Sequence, residues 1–370
     1  MAAGTQPNYY DAALLGHQSR VNPDYNKAEL RELETQVLEV GLANQDFLVD
    51  QKMLSKFKES VNRPVYGYVK NRKASTGGTA MTAFHTGIGG TASQQAITWI
   101  AFTEEFFFNE TTGMDNVFDE YELFDNEMLQ AKRNLRERLR IWLTSNIYTN
   151  RTGAGTITSA AMSTLNTTTN TWEISGNAAT TPWAAMTSTM RQNKYGYSKY
   201  DVFADSLMYA ASYEFQNAQT ADNATHLSYQ FDKKGIMPQK GGYLNNIWED
   251  IILGVAGEVP YTGGYSNGAA LVMPEKAFAF LPWMPKLYED GGGNMDDYAG
   301  GYGTIDDEVI PGMTYMVHGW RTQADTTAAS GHGFTQDSVL QFQVGFYIAY
   351  MTQFISNANE TPIYFFGIKP

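Results

Sequence analysis

An α+β fold is predicted for this 370-residue chain, and three patterns predict it. Between Met114 and Arg151 there is no Gly or Pro, and apolar residues recur at helical spacing. Ahead of that stretch, two alternating segments rich in β-branched and aromatic residues flank a run of small residues, the pattern of an extended hairpin. Behind it, helical and strand patterns alternate over residues 181–310, and residues 311–370 return to β. Hydrophobic residues make up 43% and charged residues 18%, enough apolar surface for a sizeable core and too little charge for a disordered chain. No apolar run reaches the roughly 18 residues that a membrane span needs. The first twenty residues carry neither a basic n-region nor a long apolar h-region, so no signal peptide is expected. Cysteine is absent, which removes disulfides and thiolate metal sites. A net charge of −13 argues against broad nucleic-acid binding, because phosphates would be repelled.

The elements follow in order. Residues 1–60 form an N-terminal arm. Within it 27–59 reads as helix: Leu30, Leu33, Val37 and Val40 are spaced by three or four, Gly41 is an expected interruption, and Phe47, Val49, Met53, Leu54 and Phe57 lead to the Pro64 stop. Residues 61–110 hold the hairpin. RPVYGYVKNRK and AITWIAFTEEFFF are its two expected strands, and ASTGGTAMTAFHTGIGGTASQ is its flexible tip. Such a hairpin has little core of its own and must lie on something else. Residues 111–180 begin with one helix over 114–150, with Val117, Tyr121, Phe124, Met128, Ala131, Leu135 and Trp142 as its apolar stripe, about 50 Å long at 1.5 Å per residue. A Thr/Asn-rich stretch then carries WEI in short strands. In 181–310, Trp183–Asn193 reads as helix, Tyr200–Ala204 as strand, and 206–218 as a helix capped by Ser206 or Asp205. Strands follow at Ile251–Val255 and Ala269–Met273, with a short helix near Pro274 and an acidic glycine-rich loop at 289–308. TYMVHGW, VLQFQVGFYIAYM and PIYFFGI are the closing strands.

The chemical motifs are weak. Gly264-Tyr-Ser266-Asn-Gly268 matches the nucleophile elbow G-x-S-x-G, which would make Ser266 the nucleophile of an α/β hydrolase, with a later Asp and His318 or His332. That motif needs a strand before it and a helix after it, whereas AALVM is strand-like, so a turn is the better reading. Gly87-Ile-Gly89-Gly-Thr-Ala92 resembles a dinucleotide fingerprint without its strand-to-helix setting. The five histidines (His17, His85, His226, His318, His332) have no helical spacing that would hold zinc. Asp296, Asp297, Asp306, Asp307 and Glu308 could together offer oxygen ligands to Ca²⁺, but their spacing fits no EF-hand and a solvated acidic loop is expected. No catalytic, cofactor or metal site is therefore assigned. A third alternative is a secreted carbohydrate-binding β protein using exposed Trp and Tyr, against which the missing signal peptide weighs.

Charge is zoned along the chain. Val61–Thr103 holds four bases, Arg63, Lys70, Arg72 and Lys73, and no acid. Glu104–Ala131 holds nine acids, among them Glu104, Glu105, Asp119, Glu120 and Glu122, and no base. Lys132, Arg133, Arg136, Arg138 and Arg140 follow. A helix macrodipole favours early acids and late bases, but its effect fades within a turn and these zones run for several. Two readings remain for the rest, a merely solvated face and pairing between subunits, and the expectation is the second, a basic hairpin laid over a neighbour's acids.

The order of elements resembles the major capsid proteins of tailed bacteriophages, the HK97-like fold. RPVYGYVKNRK…AITWIAFTEEFFF resembles the family's E-loop, VFDEYELFDNEMLQAKRNLRERLRIWL its spine helix in the peripheral domain, and YDVFADSLMYAASYEF a strand and helix of its axial domain. The resemblance covers nearly the whole chain in architecture, without a short diagnostic motif. It implies a homo-oligomer of pentamers and hexamers, an icosahedral head enclosing DNA without sequence-specific binding, and a virion location after assembly in the host cytoplasm. It also implies portal, scaffold and decoration proteins as partners. The scaffold would be a separate or already lost segment, since the arm begins almost at once. Cross-linking through Lys70 or Lys73 is a family property that nothing in these residues marks.

Overall fold

Strands that are almost wholly apolar lie where a sheet is covered on both faces. The computed structural model describes residues 36–44, 65–69, 91–95, 99–109, 120–152, 159–160, 162–174, 182–195, 199–209, 236–238, 244–249, 265, 268–284, 301–323, 338–352 and 361–369. In chain order these form α1 (Gln36–Ala43), β1 (Val65–Val69), β2 (Thr91–Gln95), β3 (Ile100–Asn109), α2 (Glu120–Thr149), β4 (Ser159–Ala160), β5 (Ser163–Asn166), β6 (Thr171–Ile174) and α3 (Pro182–Met190). There follow β7 (Tyr200–Ala204), β8 (Ile236–Pro238), β9 (Leu244–Glu249), β10 (Ala269–Pro274), β11 (Phe278–Trp283), β12 (Gly301–Asp306), β13 (Thr314–Gln323), β14 (Ser338–Thr352) and β15 (Tyr364–Ile368). The fold is α+β, as expected.

An eight-stranded sheet runs β4-β5-β6-β15-β10-β7-β9-β8, with β15–β6 and β7–β9 parallel and the other pairs antiparallel. Its central strands YDVFA, AALVMP and YFFGI are buried at every position. Alternate residues enter two different cores. Val202, Ala270, Val272, Tyr364 and Phe366 pack with Trp183 and Met186 of α3. Phe203, Leu271, Met273 and Phe365 face the second sheet and α2. Burial on both faces removes the polar alternation of a one-sided strand.

The second sheet is five-stranded and antiparallel. Tyr347 and Ile348 of β14 pair both with β3, at Ala101 and Ile100, and with β11, at Trp283 and Pro282. A ladder residue has one neighbour per side. β3 therefore lies along one edge of β14, and β13 and β11 follow one another along the other. The 30-residue α2 lies across this sheet. Its stripe Phe124, Met128, Ala131, Leu135, Leu139, Leu143 and Ile147 is buried. Phe124 packs edge-on to Phe342, and Trp142 edge-on to Phe102.

Several expectations change. Gly41 does not interrupt α1; it lets the helix close on the sheet, since a Cβ there would meet Phe280 Cδ1 at 2.6 Å. The remainder of 27–59 lies outside the described residues. β1 pairs with β2, residue Val65 opposite Gln95, so the hairpin closes on TASQQ. The segment expected to be its second strand is β3 and pairs instead with β14. The helix expected at Pro274 is a β-turn: Ala277 N–H donates to Pro274 O at 3.2 Å, and Lys276 takes a φ of 65°. The helix over Trp183–Asn193 is α3 extended by a π turn, Arg191–Tyr195. Asp205 is the cap of the helical turn 206–209, accepting from Met208 N–H at 2.7 Å. Ile251–Val255 lies outside the described residues.

Candidate assembly surface and its buried support

β3 sorts its residues by alternation. Phe102 and Phe106 turn inward, stacked on Phe346 and Phe342. Thr103, Glu105 and Phe107 turn outward and are exposed, Phe107 to 70%. Across the sheet, Phe107 pairs with Gln341 and then Trp320, and Glu105 with Gln343, then His318 and Tyr302. His318 stacks on Tyr302 at 4.3 Å and tilts against Trp320 at 4.9 Å. Burial lowers the His318 pKa, which favours the neutral ring in this stack.

The two adjacent carboxylates of β3 have different partners. Glu104 accepts from Arg138 Nη1 at 2.6 Å, and the same nitrogen donates to Thr103 O at 2.8 Å. Arg138 thus ties α2 to the edge of the sheet, with its guanidinium 5.8 Å over the Phe102 ring. Glu105 accepts from the neutral amide of Gln343 at 3.2 Å. Of the other expected contact residues, Arg63, Lys70, Arg72, Lys73 and Asp119 lie outside the described residues. Glu120 and Glu122 are in the first turn of α2, where only the backbone is described.

Beneath this surface lies a charge cluster that the sequence reading missed. Asp307 and Glu308 were expected in a solvated loop; both are instead part of a buried network. Arg136 Nη1 donates to Asp307 Oδ2 at 2.8 Å, with both side chains 0% exposed, and Lys132 Nζ donates to Glu308 Oε2 at 2.7 Å. Asp307 Oδ2 also accepts from Tyr315 Oη at 2.6 Å, and Oδ1 accepts from Val309 and Ile310 N–H, each at 2.7 Å. This carboxylate holds the β12–β13 turn onto α2. Asp306 stays exposed and accepts from Thr314, Gly301–Asp306 is a strand, and Asp296 and Asp297 lie outside the described residues. Among the described residues no group of acids or histidines could hold a metal ion. The signal available in the sequence was the spacing of Lys132, Arg136 and Arg140, a basic stripe beside the apolar one at four-residue intervals.

Burial opposes the charges of this network. It lowers the Lys132 pKa more than Glu308 raises it, whereas for Arg136 the attraction of Asp307 and its neighbours outweighs burial and raises the pKa. Burial, followed by Asp307, pushes the Tyr315 phenol well above its usual range, and burial alone does the same to Tyr350. Both tyrosines keep their protons when folded and lose them near pH 10.0 when unfolded. Their stabilising contribution is whole below that pH and falls above it, by about 1.4 kcal/mol per pH unit for each tyrosine. Urea midpoints should therefore hold up to about pH 10 and drop steeply as pH rises further, and Tyr350→Phe should flatten the drop. Midpoints unchanged over the higher range would contradict this account.

The elbow motif resolves as a turn. Gly268 N–H donates to Tyr265 O at 3.4 Å, Gly268 has a φ of +123°, and strand β10 follows where a nucleophile elbow requires a helix. Ser266 and His332 lie outside the described residues, and His318 is taken up by its aromatic stack. The glycine fingerprint likewise runs into strand β2 rather than a helix.

No protein-family model matches the chain, and no curated protein is a significant match. Solved structures do resemble it. Mycobacterium phage Che8 covers 86% of this chain and 89% of its own at 8% identity and a TM-score of 0.46. The capsid structure of cyanophage P-SCSP1u covers 83% of each chain at 12% identity and a TM-score of 0.44. The capsid of a native GTA particle covers 84% of this chain and 86% of its own at 10% identity and a TM-score of 0.43. These neighbours are phage and capsid structures.

Proposed function

We propose that this chain is a major capsid protein of the HK97-like kind, a structural protein without enzymatic activity. Its copies form pentamers and hexamers that tile an icosahedral head around viral DNA. On this reading β1–β2 belongs to the E-loop and α2 is the spine helix of the peripheral domain. The eight-stranded sheet with α3 supplies the axial domain. The observation that carries the reading is the isolation of the hairpin: among the described residues β1 and β2 form a two-stranded sheet of their own, joined to neither large sheet. A lone two-stranded hairpin is marginal in water and needs a surface to lie on. The zoned charge says what surface, since its bases Arg63, Lys70, Arg72 and Lys73 complement Glu104, Glu105, Asp119, Glu120 and Glu122 of a neighbour. The rigid support for such a neighbour is the α2 and five-stranded-sheet layer, pinned by Arg136–Asp307.

The net charge of −13 fits a shell wall that does not cling to packaged DNA. No helix among the described residues is long and apolar enough to cross a membrane. Portal, scaffold and decoration proteins are the partners this reading allows, and the virion is its location. Light scattering of the purified chain should find capsomers or megadalton shells, and a stable monomer of 41.2 kDa would refute the reading.

A further inference from the structure

We infer that Glu105, and not the adjacent Glu104, is the carboxylate on which the basic hairpin segment of a second copy lands, on the outward face of the five-stranded sheet. The inference rests on the shell reading above and narrows it from a zone of acids to one face. Glu104 is already neutralised within its own chain, 2.6 Å from Arg138, and serves the junction of α2 with the sheet edge. Binding a second cation there would compete with that pair and disturb the capped Thr103 carbonyl. Glu105 points to the opposite face, exposed, and among the described residues no cation pairs with it.

The surroundings of Glu105 suit the same occupant. Phe107, two residues along the same face and 70% exposed, is the most exposed large apolar side chain among the described residues. The intervening rows offer the neutral amides of Gln341 and Gln343, so nothing basic repels an arriving cation there. Lysine and arginine stems can cover an aromatic ring while their heads reach a carboxylate. The hairpin segment that includes Lys70, Arg72 and Lys73 contains no acid to compete for that carboxylate. Charge complementarity therefore selects a second copy's hairpin as the occupant.

The absence of cysteine makes a direct test clean. Full-length chains carrying Glu105→Cys are assembled with chains carrying Lys70→Cys, Arg72→Cys or Lys73→Cys, then oxidised and run on a non-reducing gel. A disulfide-linked dimer is expected with at least one of the three, and none with Glu104→Cys in place of Glu105→Cys. As a second measurement, Glu105→Lys should reduce the yield of particles, and adding Lys73→Glu to the same chain should restore it. Particles that form normally, with no Glu105 cross-link and no loss on Glu105→Lys, would overturn the inference and leave the shell reading standing. A wild-type chain that stays monomeric would overturn the shell reading and this inference with it.

Discussion

Reversing Lys70, Arg72 and Lys73 to Glu is expected to abolish shell formation while leaving the subunit folded. The subunit should survive because an extended two-stranded hairpin contributes little core of its own. Assembly should fail because the change inverts three charges against an acidic neighbour. One exposed pair contributes only about 0.2–1 kcal/mol. Repeated at every boundary of a closed shell, that small quantity decides whether the shell closes. High salt should weaken wild-type assembly in the same direction, since exposed charges are screened beyond about 8–10 Å near physiological ionic strength. Circular dichroism checks the fold and electron microscopy counts the particles. Undiminished shells from the triple variant, at low and high salt alike, would make the basic strip a solvated face.

Asp307→Ala should be the most damaging single substitution in the α2 layer, costing about 3–5 kcal/mol of subunit stability. Removing this carboxylate strands the Arg136 guanidinium at 0% exposure, and it removes the acceptor of Tyr315 Oη and of two backbone N–H groups. Glu104→Gln is the comparison. Its partner Arg138 is 49% exposed, so water can take over the lost interaction and the expected cost is within about 1 kcal/mol. Denaturant midpoints of the two variants, measured under conditions that keep subunits apart, decide the matter. Equal and small losses would mean that the Arg136–Asp307 pair does not hold the turn to the helix.

The contrast between those two acids shows what was readable in the sequence. The long helix was, because its pattern is local: Phe124, Met128, Ala131 and Leu135 repeat at three or four residues and all are buried. The strands YDVFA, AALVMP and YFFGI were readable for the same reason, as short runs that are apolar apart from Asp201. Partners distant in sequence were not. AITWIAFTEEFFF was rightly a strand, but nothing local says that Glu105 lies beside Gln343, 238 residues on. TASQQ has a turn-like composition, and its pairing with β1 supplies the strand geometry that its own residues do not favour. Asp307 and Glu308 look solvated because they end a run of glycines and acids. Only the fold brings Arg136 and Lys132, 171 and 176 residues away, to meet them. At the proposed assembly surface, charge zoning pointed to a group of acids, and the alternation of β3 separates Glu104 from Glu105 within that group.

Negative-stain electron microscopy of the purified full-length chain, expressed alone and with a scaffold partner, tests the central claim most directly. The account predicts closed shells or free five- and six-membered rings in at least one of the two preparations. Dispersed particles no larger than a single 41.2 kDa subunit in both, with a native circular dichroism spectrum, would contradict it.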